Sequence, residues 1–142
     1  LFPRDLEPWK NPELLERWKT LAAVRDQVNL QLEARRKDKT IAANLSAQVT
    51  IEADGATASL LAEYQDFLPT LFGVSQISLK PSVSQALKPS DPQALKPSVS
   101  VTKADGTKCD RCWRYVPEVS QSAEHAGLCS RCVEALSEPV SL

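Results

Sequence analysis

All four cysteines of this 142-residue chain stand in one stretch, KCDRCWRYVPEVSQSAEHAGLCSRC, residues 108–132. They form two C-x-x-C pairs, Cys109 with Cys112 and Cys129 with Cys132, separated by residues 113–128. Thiolates are soft ligands, and tetrahedral zinc takes four of them at about 2.3 Å. Each pair can fold into a knuckle whose sulfurs converge while the following backbone N–H groups point toward them, so two knuckles close the coordination shell. A closed shell leaves no position for water. The expected role is therefore structural: one zinc ion holding together a segment too small to bury its own core. Two disulfides are a rival arrangement, but they suit secreted domains, and LFPRDLEPWK has neither the basic cap nor the apolar core of a secretion signal. Thioredoxin-like redox chemistry is the other rival; it calls for one C-x-x-C at a helix N-terminus after a strand rather than two equivalent pairs.

The residues around the cysteines have chemistry of their own. His125, the only histidine, lies four residues before Cys129, but two intact pairs already satisfy a metal, so it is read as structural or surface. Trp113 follows the first pair and Tyr115 lies two residues on. Either can cover the metal from water or stack on a nucleotide base, with packing the expected role for Trp113. Arg111 and Arg131 hold the same place in CDRC and CSRC; they can flank the sulfurs or reach an RNA phosphate. Four thiolates around one divalent ion carry net negative charge, which Lys108, Arg111, Arg114 and Arg131 can offset. The basic residues at the end of the first helix, Arg36 and Lys39 among them, are further candidates for phosphate contact.

Something must position these residues, and the rest of the chain supplies it. With 42% hydrophobic and 25% charged residues the composition is that of a globular protein, of a size for one core and a satellite. A formal net charge of −1 makes the chain as a whole no electrostatic magnet for nucleic acid, so any such binding must rest on local patches. No apolar run approaches the ~20 residues that cross a bilayer, and a membrane protein is not expected. The absence of methionine and the start on Leu1 suggest part of something larger. Asn11, Pro12 and Glu13 read as a helix start, and Leu14, Trp18, Leu21, Val24, Val28 and Leu32 recur at steps of three and four, which predicts a long helix with one core-facing stripe. Ala47, Val49, Ile51 and Ala53 then alternate with polar residues as a strand, ended by Asp54-Gly55. Helical spacing returns from Thr57 to about Pro69, and Val74, Ile77 and Leu79 suggest a second strand. Two strands joined by one helix are most simply parallel, with the long first helix covering the sheet.

From residue 79 to 101 the tetrad LKPS repeats at 79, 87 and 95. Pro81, Pro89, Pro92 and Pro97 each remove a backbone donor, and octads rich in Ser and Pro cannot bury a core, so an extended linker is expected. Residues 98–102 can re-enter structure as a strand leading into the cysteines. The fold class expected is α+β: a long helix covering a small β-α-β sheet, then a linker and a four-cysteine segment resembling a zinc ribbon. The expected divisions are 1–79 for the core, 80–97 for the linker and 98–142 for the zinc-binding domain.

The run KCDRCWRYV followed by EHAGLCSRCVEAL resembles the C-terminal zinc-binding segment of bacterial-type isoleucyl-tRNA synthetases, with Lys108, Arg111, Trp113, Glu124, His125, Leu128 and Arg131 matching the family's pattern. WKTLAAVRDQVNLQLEARRKDKTIAANLSAQVTI and YQDFLPTLFGVSQISL resemble the region that follows the family's anticodon-binding bundle, so almost the whole chain is covered. The LKPS repeats look private to this chain. The resemblance implies a fragment of a cytoplasmic, monomeric class I ligase that joins isoleucine to its tRNA using ATP, with the catalytic and editing domains upstream of Leu1. Nothing here resembles the HIGH or KMSKS motifs, so the fragment itself is expected to be non-catalytic. Its implied partners are the anticodon stem-loop of tRNA(Ile) and the remainder of the synthetase in cis. Lys108, Arg111, Arg131, Arg36 and Lys39 could contact phosphates, and Trp113 could stack an unpaired base. Two other readings stay open: a zinc ribbon used for protein interaction or domain docking without RNA contact, and a thiol oxidoreductase.

Overall fold

Asn11 starts the first helix as its type allows. Its Oδ1 accepts the N–H of Leu14 at 3.0 Å, and Pro12 sits in the first turn, where a missing N–H is harmless. The computed structural model describes residues 10–81 and 97–137. Within them α1 (Pro12–Lys37) carries Arg35, Arg36 and Lys37 in its last turn, at the negative end of the helix dipole. A single 3-10 turn, Asn44–Ser46, leads into β1 (Ala47–Ala53), followed by α2 (Gly55–Glu63), α3 (Leu68–Phe72) and β2 (Gln76–Pro81). After residue 97 come β3 (Ser98–Lys103), β4 (Thr107–Lys108), β5 (Tyr115–Val116) and α4 (Ser130–Ser137).

The main sheet has the order β2-β1-β3, with β1 parallel to β2 and antiparallel to β3. Burial alternates along β1, so Ala47, Val49, Ile51 and Ala53 face the core. Register then stacks like with like: Val49 lies between Ile77 and Val101, and Ile51 between Leu79 and Val99. Onto this face α1 lays Leu21, Val24, Val28 and Leu32, joined by Leu61, Leu68, Phe72 and Val74 from the connection between β1 and β2. Each such side chain contributes about 1.5–3 kcal/mol by leaving water.

Three expectations change. The helix expected from Thr57 to Pro69 is two helices: a continuous helix would need Pro69 to donate an N–H it lacks, and its ring would strike the carbonyl four residues back. The chain instead turns at Tyr64–Phe67, with Leu68 N–H bonded to Tyr64 O at 3.0 Å, and restarts with Pro69 in the first turn of α3. The stripe on α1 is core only from Leu21 onward, since Leu14 and Trp18 are exposed. A boundary at 97/98 would cut the main sheet, because Ser98–Lys103 pairs with β1 rather than with the cysteine segment. The expected linker falls almost wholly outside the described residues; Lys80 and Pro81 complete β2, and Pro97 precedes β3.

Candidate metal centre

Both pairs of cysteines sit where short-range backbone geometry forces a tight turn. Strand β4 runs directly into Cys109, whose N–H donates to Arg114 O at 2.9 Å, while Trp113 N–H returns to Cys109 O at 2.9 Å. To close that knuckle Trp113 takes a left-handed backbone, φ 65°. Strand β5 then pairs back on β4, Lys108 opposite Tyr115 and Thr107 opposite Val116. Gly106 makes this hairpin possible: its φ is 100°, and a side chain there would run into the Val116 carbonyl. Cys129 immediately precedes α4 and Cys132 lies in its first turn, with the N–H groups of Cys132 and Val133 both donated to Cys129 O, at 2.9 and 3.0 Å. Gly127, φ 78°, lets the second knuckle lie against the first, where Asp110 N–H reaches Gly127 O at 3.1 Å and the Asp110 side chain fills the space a Cβ would need.

The four sulfurs therefore converge. All four Sγ atoms lie within 4.8 Å of one another, and Cys112 Sγ is 3.7 Å from Cys129 Sγ. A zinc tetrahedron with bonds of about 2.3 Å has edges of about 3.8 Å, so the spacing fits one ion. No disulfide joins them, which sets the two-disulfide alternative aside. Cys109, Cys129 and Cys132 are buried and Cys112 is half-buried, with Val116 and Leu128 packed against them. Among the described residues from Gly106 onward, no other hydrophobic side chain is buried, so this unit has no core apart from its sulfurs.

The local field prepares the thiols unequally. Burial opposes ionisation of Cys109, yet the N–H groups of Cys112, Cys129 and Arg111 outweigh it and bring its pKa down to about 6. One of those bonds, Cys129 N–H to Cys109 Sγ, is 3.3 Å long. Burial dominates at Cys129, where the Cys132 N–H offers partial relief and the neighbouring thiols add to the rise, to about 12. Four thiolates cannot coexist here without a cation to compensate them.

The other sequence candidates separate into groups. Lys108, Arg111, Trp113 and Arg131 flank the ligand positions and are exposed. Trp113 is 59% exposed and so does not pack over the metal as expected; Lys108 Nζ sits over its ring, 5.3 Å from the centroid. Arg114 turns away from the sulfurs and donates to Thr70 Oγ1 at 3.0 Å. Arg36 and Lys39 lie on the last turn of α1 and just beyond it, Arg36 paired with Glu33 at 2.7 Å and Lys39 in a left-handed turn. His125 is half-buried and stands outside the cluster of metal-capable groups.

Periodicity could not have found the residues that hold the knuckles to the main sheet. Ser75 Oγ donates to Leu45 O at 2.5 Å and accepts Tyr115 N–H at 2.7 Å. The Gln76 amide donates to Asp105 O at 2.8 Å and accepts the Asp105 N–H at 3.4 Å, pairing with backbone as a strand would. The cysteine unit is thus attached at the start of β2, not suspended from a tether.

Residues 106–135 match the family described as the zinc finger found in FPG and IleRS. Over those 30 residues this segment is similar to that zinc finger. Its metal is zinc, and the four cysteines are positioned to bind one ion. Beyond the zinc finger, the chain is 39% identical over 137 residues to isoleucine–tRNA ligase of Gloeobacter violaceus, covering 96% of the chain and 14% of that protein. It is 37% identical to the same enzyme of Geobacter sulfurreducens, covering 95% and 14%, and 41% identical to that of Syntrophotalea carbinolica, covering 92% and 14%. The part matched is their C-terminal part, zinc finger included, and against these ligases the chain is a fragment. No helix among the described residues is long and apolar enough to cross a membrane.

Proposed function

We propose that this chain is the C-terminal, non-catalytic tRNA-binding appendage of an isoleucyl-tRNA synthetase, a cytoplasmic and monomeric enzyme that ligates isoleucine to its tRNA using ATP. In this reading Cys109, Cys112, Cys129 and Cys132 are the zinc ligands. Zinc, when bound, supplies no reaction chemistry; with four thiolates around it, it fixes the positions of the two knuckles. The observation that carries the proposal is the exposed fringe of the zinc finger. Arg111 and Arg131 present guanidinium groups that suit phosphates, and Trp113 presents an uncovered ring that suits an unpaired base of the anticodon loop. Lys108 beside that ring adds cationic character where the RNA backbone would pass. Arg36 and Lys39 extend the candidate contacts toward the end of α1.

The units we propose are a sheet core of residues 10–81 with 97–104 and a zinc finger from Asp105 to Ser137. A net charge near neutrality makes the isolated affinity weak and salt-sensitive, so tight binding depends on linkage to the rest of the enzyme. The test is a separation of steps in the full-length protein. Arg111→Glu with Arg131→Glu should leave isoleucine activation, read as isotope exchange between ATP and pyrophosphate, unchanged, while transfer to tRNA falls at least tenfold. Equal loss of both steps in a folded variant would defeat the proposal.

One set of contacts favours a second reading, a docking module without RNA contact. Arg114 to Thr70, Tyr115 to Ser75 and Asp105 to Gln76 commit one side of the zinc finger to protein. On that reading the charge reversals leave tRNA affinity unchanged. The thiol oxidoreductase reading is not retained, because the four thiols meet at one point as a metal site does.

A further inference from the structure

The metal centre is not sealed evenly. Cys109, Cys132 and Cys129 are 0%, 1% and 5% exposed, whereas Cys112 alone of the four is only half-buried. The bulkiest side chain beside it gives no shelter, since Trp113 is turned to solvent with Lys108 over its ring. On the facing knuckle Cys129 Sγ lies 3.7 Å from Cys112 Sγ, in contact. The Cys109 sulfur belongs to the same cluster but already accepts the Cys129 N–H at 3.3 Å, a bond that ties up its lone-pair density. Buried cysteines are inert, and oxidation begins where a thiolate meets solvent. An accessible thiolate with a second thiolate in contact can then be resolved to a disulfide.

We propose that Cys112 is an oxidation site at which a peroxide opens the metal centre, by forming a disulfide from Cys112 to Cys129 across the two knuckles. The inference goes beyond the tRNA reading above and rests only on the four cysteines as zinc ligands. The peroxide is the one reactant the step needs. The Cys112 thiolate attacks a peroxide oxygen: an S–O bond forms, the O–O bond breaks and hydroxide leaves. The Cys129 thiolate then attacks the Cys112 sulfur: an S–S bond forms, the S–O bond breaks and a second hydroxide leaves. The two thiolates lose two electrons and the peroxide gains them. Cys109 and Cys132 are then all that remains of the ligand set, one on each knuckle, and half a shell does not retain structural zinc. Among the described residues from Gly106 onward the only buried hydrophobic side chains are cysteines, so opening the centre frees β4, β5 and α4. The bond across the knuckles keeps Cys109 and Cys132 together, and reduction restores the full set of four thiols. The site is consumed once per oxidation event and does not turn over.

The obvious variant, Cys112→Ser, removes a ligand and with it the metal, so the test uses the unsubstituted full-length protein and hydrogen peroxide. Trypsin cuts after Lys108, Arg111, Arg114 and Arg131, which puts each of the four cysteines on a peptide of its own. Zinc is measured by plasma mass spectrometry before and after a limiting dose of peroxide, and the disulfides are mapped by peptide mass. One zinc ion per chain should be released, and the Cys112–Cys129 pair should exceed every other pairing by about fivefold or more. A thiol reductant supplied with zinc should restore slow amide exchange from Gly106 onward. Zinc retained with all four thiols reduced, a first disulfide within either C-x-x-C pair, pairings without preference, or oxidation that ends at Cys112 as a sulfinic acid would each overturn the proposal and leave the zinc site standing. Absence of zinc before any oxidant is added would remove the metal reading and the proposal together.

Discussion

At the scale of single residues, Ser75 is the point at which the metal centre and the sheet become one structure. Its hydroxyl ties the segment before β1 to the strand that leaves the first knuckle, through Leu45 O and Tyr115 N–H. Ser75→Ala should leave a half-buried donor and acceptor unpaired at a cost of about 1–3 kcal/mol, without touching any sulfur. Zinc content measured by plasma mass spectrometry should stay at one ion per chain while hydrogen exchange at the Tyr115 amide quickens about tenfold or more. Loss of zinc in that variant would show that the sheet is needed to shape the site. The thiols allow a prediction in pH. Cys109, down to about 6, is already a thiolate at neutrality, whereas Cys129, up to about 12, yields its proton only to the metal. Lowering pH protonates ligands and weakens zinc binding throughout, and below pH 6 the reprotonation of Cys109 should add about one decade of lost affinity per pH unit. A competition titration against a zinc indicator between pH 5 and 8 checks the change of slope.

Among the elements, α1 carries most of the folding information and divides at Leu21. Leu21→Ala removes a fully buried side chain from between helix and sheet and should cost about 2–5 kcal/mol. Leu14→Ala, on the same stripe but exposed, should change the stability of this chain by no more than about 0.5 kcal/mol. Urea titrations of the two variants decide the matter, and equal losses would mean that Leu14 is covered after all. The short elements behave differently. β4, β5 and α4 span two, two and eight residues, too few to persist by propensity, so they depend on the knuckles that join them.

For the whole molecule, that dependence predicts an uneven response to metal removal. Structural zinc contributes on the order of 10 kcal/mol, which the zinc finger cannot replace because its only buried hydrophobic side chains are three of its own cysteines. A strong chelator should therefore release β4, β5 and α4 and break the hydrogen bonds to Ser75 and Gln76. The sheet and the 26-residue α1 keep their own core and should remain. Circular dichroism should retain most of the helical signal, while amide exchange becomes fast from Gly106 onward and stays slow in β1. Global unfolding on chelation would contradict the separation of cores proposed here.

What the sequence determined by itself was local or periodic. The alternation at Ala47, Val49, Ile51 and Ala53, the stepping from Leu21 to Leu32 and the cap at Asn11 are read from side-chain type and spacing, because strand and helix periods dictate which residues share a face. The two C-x-x-C pairs were equally plain, since few arrangements satisfy four thiolates at that spacing and the resulting Sγ cluster fits one zinc ion. Pairings between distant segments were not legible. Whether Ser98–Lys103 joins the cysteines or β1 depends on register against a strand some fifty residues away, and both neighbours could accept an alternating strand. The exposure of Trp113 and Trp18 follows from what the surrounding chain leaves uncovered, which spacing along one helix or one knuckle does not encode. The attachment through Ser75, Gln76 and Thr70 rests on polar groups with no period at all. Only the tertiary structure could bring a serine, a glutamine and a threonine to the edge of the zinc finger, because a hydrogen bond is decided by where two backbones meet.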